Sequence, residues 1–230
     1  MAPPVKRTYD NAGREARSEA TRSRILALAR EAFTTRGYRA TTVADIARAA
    51  EVHVDTMYEL VGRKPELLRE LIERAISGTD RALAPARRGY VQAMSAEAAP
   101  ERKLAIYAAA VRDIHARMAP LLLALRDAAT TDDEARRVWT DISARRSQNM
   151  RDLVRGLGPD GTLRAGITID EAADVVWATA SAELYILFVH ERGWTPADYE
   201  QWLVDTWCRL LLASGDEPTQ PARRARRNRP

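Results

Sequence analysis

Apolar side chains recur along this chain with the period of an α-helix, and breaks in that period divide it into elements. Within residues 18–36, Ile25, Leu28, Ala29, Ala32 and Phe33 form the stripe of a helix packed on one side. Gly37 stands where such a helix ends. Val43, Ile46, Ala47 and Ala50 repeat the spacing over a shorter stretch. Thr42 is placed as its N-cap, and Asp45 three residues on makes a capping box with Asp in place of Glu. After a break at Glu51-Val52-His53, a second short face follows in Val54, Met57 and Val61. Leu67, Leu68, Leu71, Ile72, Ala75 and Ile76 carry a fourth helix towards Ser77-Gly78.

Beyond a connection over residues 85–100, whose boundaries the pattern does not place, the period resumes in longer helices. One is expected over residues 102–118, and a short Leu-rich one from Pro120 to about residue 128. Capping boxes at Thr131, Thr168 and Thr195 open helices reaching about residues 157, 190 and 214. No stretch alternates apolar and polar long enough for a sheet. The expected fold is all-α: a three-helix head over residues 18–64 and a larger helical body over residues 65–213. A flexible arm (1–17) and tail (214–230), both without apolar period, flank them.

Two short helices joined by a tight turn form a helix-turn-helix, whose second helix fits the major groove. The flanking residues sharpen this: Arg24-Ile25-Leu26, Ala29, Phe33, Gly37-Tyr38 and Thr41-Thr42-Val43 before it, Thr56-Met57-Tyr58 and Lys64-Pro65-Glu66-Leu67-Leu68 after. Over residues 24–71 the chain resembles the DNA-binding module of the tetracycline-repressor (TetR) family of bacterial regulators. It departs from the family pattern at Glu51, where a turn Gly is usual, at His53, where Ser is usual, and at Val61, where Phe is usual. If the turn needs a positive φ at Glu51, the missing glycine costs about 1–2 kcal/mol. The resemblance implies that Tyr58 and Lys64 contact phosphates. Val54, Asp55 and Thr56 open the recognition helix, where Asp55 could accept from a cytosine amine and a methyl could meet thymine. His53 reads either as a DNA donor or as a replaced cap, and Asp55 either as a base contact or as a helix-dipole acid. With Arg39, Thr42 and Val43 at the entry of the helix pair, these residues make up the expected DNA-facing set.

Charge supports a phosphate-binding end. The net charge is +4, but residues 1–48 hold ten Lys/Arg against five Asp/Glu, and residues 214–230 hold five Arg against two acids. The chain between is therefore mildly acidic. A single cysteine, Cys208, excludes an internal disulfide framework and suits a reducing cytoplasm. The first twenty residues hold no apolar signal core. The longest apolar run, residues 175–189, contains Glu183 and is too short to span a bilayer. A protein of the cytoplasm, off the membrane, is expected. The three histidines, His53, His115 and His190, lack ligand spacing, and no Gly-rich phosphate loop or nucleophile elbow appears. Neither metal, cofactor nor catalytic site is expected.

In the body, Tyr107, His115, Met118, Trp139, Met150, Trp177, Tyr185 and Phe188 lie on apolar faces and are candidates to line a ligand cavity, with ordinary core as the alternative. Glu183, between apolar runs, must face such a cavity or pair with an arginine. The resemblance implies that the last two helices build a homodimer interface. Its candidates are Ala173, Val176, Ala180, Leu184 and Leu187 on one helix, and Tyr199, Trp202, Leu203 and Leu210 on the other. The function implied is a ligand-released, dimeric repressor on a near-palindromic duplex operator, its effector a small molecule. A sequence-independent DNA-coating protein and an all-α enzyme with a vestigial head stay open beside it.

Overall fold

The computed structural model describes residues 11–79, 81–159 and 162–213. Residues 1–10 of the expected arm and the tail 214–230 lie outside the described residues. Among the described residues the regular secondary structure is helical, apart from an isolated antiparallel bridge of Leu163 to Leu212.

The head opens with α1 (Asn11–Ala40), whose regular helix is broken at Gly37 (φ 77°, ψ 173°). It starts earlier than expected, and residues 11–17 are helix, not arm. Arg17 and Thr21 bond back to the carbonyls four residues before them. Arg14, Glu15, Ala16 and Arg17 are exposed, and Ala, Glu and Arg are good helix formers. Ile25, Ala29 and Phe33 are buried against α2 (Val43–Ala49), α3 (Val54–Val61) and α4 (Lys64–Ser77), through Ile46, Ala47, Met57, Leu68 and Ile72.

A 3₁₀ turn (Pro85–Arg87) and α5 (Gly89–Ala96) fill the unplaced connection. The central element is α6 (Pro100–Ala128), which packs on α1, α4, α5, α7 (Asp133–Arg155), α9 (Ala182–Tyr185) and α10 (Pro196–Leu211). Two separate helices were expected here. α6 instead runs through Pro120, which costs about 3 kcal/mol or more in a helix interior. Burial of Met118, Leu121, Leu122 and Leu125 around that proline offsets it.

The expected helix through His190 is also corrected, since it is three pieces. α8 (Ile169–Thr179) ends at Ala180, Ser181 caps α9, and a π-helical turn (Ile186–Glu191) follows. No glycine or proline marks this break. The Thr179 hydroxyl bonds back to Val175 O at 2.6 Å and competes with the ladder. Carbonyls freed at the break go to side chains of other helices: Ala180 O accepts from Arg146 on α7 and bonds His115 on α6, and Thr179 O accepts from Tyr199 on α10.

Candidate nucleic-acid interface

The turn between α2 and α3 fixes the angle of the helix pair. Glu51 N bonds Arg48 O at 3.2 Å and Val52 N bonds Ala47 O at 3.0 Å, the two bonds of a Schellman motif. That motif puts its C′ residue in left-handed backbone, and here the residue is Glu51, with φ 55°. The strain expected from the missing glycine is therefore present. At the other end of α2, Thr42 Oγ1 accepts from Asp45 N at 3.1 Å and its hydroxyl donates to the Asp45 carboxylate at 2.6 Å. The box is half-formed: the Asp45 carboxylate takes the Thr42 hydroxyl rather than the Thr42 backbone N–H. The Thr42 hydroxyl beside it, then the Arg48 guanidinium, holds the Asp45 carboxyl below the usual range.

α3 presents an open face. Met57 and Val61 are buried, whereas His53, Val54, Asp55 and Tyr58 are exposed, with Tyr58 46% accessible despite its size. His53 occupies the N-cap position but makes no side-chain cap bond, so the imidazole does not replace a serine cap. Thr42 and Arg39 are exposed; Val43, Thr56 and Lys64 are half-buried. Arg39 bonds Thr131 of the body at 2.9 Å. Arg22 is spent inside the head, on Leu60 O and Glu70.

Between the C-terminus of α3 and the start of α4 lies an open cleft of about 750 Å³, lined by Val43, Tyr58 and Lys64 among others. Lys64 Nζ lies 3.8 Å above the ring of Tyr38, a cation–π contact that fixes the ammonium at the cleft wall. Burial there pulls the lysine below its ordinary pKa, and the nearby Asp132 carboxylate works against that pull. Sequence reasoning missed Tyr38 as this shelf. The signal was available: a large aromatic just past the helix-ending Gly37, off the stripe of α1. It missed Arg63 as well, an exposed cation that N-caps α4 beside Lys64.

Residues 25–71 match the family model of bacterial regulatory proteins of the tetR family. Over those residues the chain is similar to the DNA-binding head of that family. Around that head the whole fold is similar to that of several solved regulators. One from Saccharomonospora viridis, in complex with choline, is 20% identical with a TM-score of 0.63 over 85% of this chain and 99% of its own. NalD of Pseudomonas aeruginosa, the secondary repressor of the MexAB-OprM multidrug efflux pump, is 20% identical at 0.58, over 86% and 98%. FadR of Bacillus subtilis, in complex with stearoyl-CoA, is 15% identical at 0.60, over 80% and 96%. At such identities the likeness is one of fold. No curated protein matches the chain.

The body candidates separate. Tyr107, His115, Met118 and Met150 are buried, Tyr107 stacked on Trp207 and its hydroxyl on the Met150 sulfur at 3.3 Å. Trp139 is half-buried against the same core. Trp177 is not in the interior: it is 37% exposed, with the Arg146 guanidinium over its ring. Glu183 faces no cavity either, since it pairs with Arg126 at the surface. Of the dimer candidates, Ala173, Val176, Ala180, Tyr199 and Leu203 are buried in the chain's own core, where α8 packs on α7 and α10, and α10 on α6. Leu184 and Trp202 are half-buried, and Leu187 and Leu210 are exposed. Among the described residues, no helix is by itself long and apolar enough to cross a membrane, and no group of three His, Cys, Asp or Glu could hold a metal ion.

Proposed function

We propose that the chain is a cytoplasmic, homodimeric transcriptional repressor that binds a near-palindromic duplex operator and is released by a small molecule. The observation that carries this reading is the open face of α3, with Val54, Asp55 and Tyr58 outward, on a head that matches the tetR family model. Val54 and Asp55 meet base edges; Tyr58, Lys64 and Thr42 meet phosphates. Two such heads in a dimer read two half-sites.

The body reads the effector. His115 Nε2 lies 3.1 Å from Ala180 O, so that nitrogen carries the proton, and Nδ1 is left buried with no hydrogen-bond partner among the described residues. A ligand acceptable to this interior is apolar in bulk and offers one polar group to His115 or Arg146. By favouring one of two body conformations it changes the placement of the heads. The choline and stearoyl-CoA held by the two similarly folded regulators support a ligand-binding role for such a body. Competition separates this reading from a DNA-coating protein. Binding to the DNA flanking the protein's own gene should survive an excess of mixed-sequence competitor, and its loss to that competitor would favour coating.

A further inference from the structure

The cleft that holds Tyr58 and Lys64 is closed on one side by the body. Asp132 and Glu134, from the start of α7, line it together with Tyr38 and Arg63. Asp132 N-caps α7, accepting from Glu134 N and Ala135 N, and it also takes the Tyr38 hydroxyl at 2.8 Å. Lys64 lies over that same Tyr38 ring. Glu134 Oε1 lies 3.0 Å from Arg63 Nη1. Glu66, the other carboxylate of the cleft, is held by Arg63 N at 2.8 Å as part of the start of α4, and α7 does not supply it.

A phosphate docked against Tyr58 and Lys64 therefore meets two carboxylates that the body, not the head, supplies. It must compete with Glu134 for Arg63, and it stands close to the charge of Asp132. Both acids sit at the corner that follows α6, the central helix of the body. We infer that the first turn of α7 is an electrostatic brake on the head: it occupies a phosphate-binding arginine and opposes the lysine beside it. The brake acts on phosphate contacts alone, so it sets how tightly the head holds any duplex and leaves base preference untouched. A shift of the α6–α7 corner changes affinity by moving charge, with no change in the recognition helix.

This inference rests on the DNA-binding reading, and the test keeps the two apart. Affinity for a short mixed-sequence duplex is followed by fluorescence anisotropy across a salt series, for wild type, Glu134→Gln, Arg63→Gln and their double variant. Asp133→Asn removes the same charge one residue away; that side chain pairs with Arg136 and is not among the cleft residues. Freed of an exposed ion pair, Glu134→Gln should bind about two- to fivefold more tightly. Its salt slope should steepen by up to about one phosphate contact. In the Arg63→Gln background the gain should shrink, as residues acting as a pair require. Glu134→Gln binding no better than wild type, an undiminished gain without Arg63, or an equal gain from Asp133→Asn each overturns the brake alone. If the wild type binds no duplex, the DNA-binding reading falls and the brake falls with it.

Discussion

Glu51 holds left-handed backbone that a glycine would adopt freely, and the Schellman turn around it leaves no alternative. Relief of that strain, less the entropy a glycine adds to the unfolded chain, should make Glu51→Gly more stable by about 1 kcal/mol. A urea midpoint that moves down, or not at all, would contradict it. His115 offers a second residue-scale test. Burial pushes its pKa down to about 4, with the Ala180 carbonyl only partly opposing. The folded value lies below the ordinary unfolded one, so the contribution is complete above about pH 6.5 and is lost as pH falls towards 4. Over that window wild type should lose up to about 3 kcal/mol that His115→Gln does not lose. Thermal or denaturant melts across the window measure it, and equal slopes for the two proteins would refute it.

At the scale of elements, α3 should divide cleanly into residues that read and residues that hold. Tyr58→Phe and Lys64→Ala should weaken binding to matched and mismatched duplexes alike. Replacing Val54 or Asp55 should shift preference between duplexes by about 1–3 kcal/mol per changed base contact. Titrations on both duplexes decide, and equal losses from both classes would show the helix face wrongly assigned. This helix pair was legible in the sequence because each local signal agrees: the N-cap at Thr42, the apolar period, and the buried Met57 and Val61. The break at Ser181 and the unbroken α6 were not legible. In α6 tertiary packing overrides the local preference of Pro120, whereas at Ser181 the Thr179 back-bond and the serine cap break a run whose apolar period continues. Periodicity also cannot tell a helix face buried in its own chain from one buried in a partner. Tyr199 and Leu203 therefore read as interface residues until their burial is seen.

For the whole molecule, the dimer proposed above would draw on outward apolar side chains of the last helices. Trp177 on α8 and Leu210 on α10 are each more than a third exposed. Charge at both, in Trp177→Glu/Leu210→Glu, should yield monomers by sedimentation velocity that keep a folded head and bind operator poorly. A wild type already monomeric at micromolar concentration would contradict the assembly. Two heads on one dimer must read DNA twice, about one helical turn apart. The most direct measurement is a footprint of the purified protein on the DNA flanking its own gene. The expected result is one protected, near-palindromic segment whose two half-sites are separated by about that spacing. Protection spread evenly over the fragment, or none at any protein concentration, would contradict a dimeric, sequence-reading regulator.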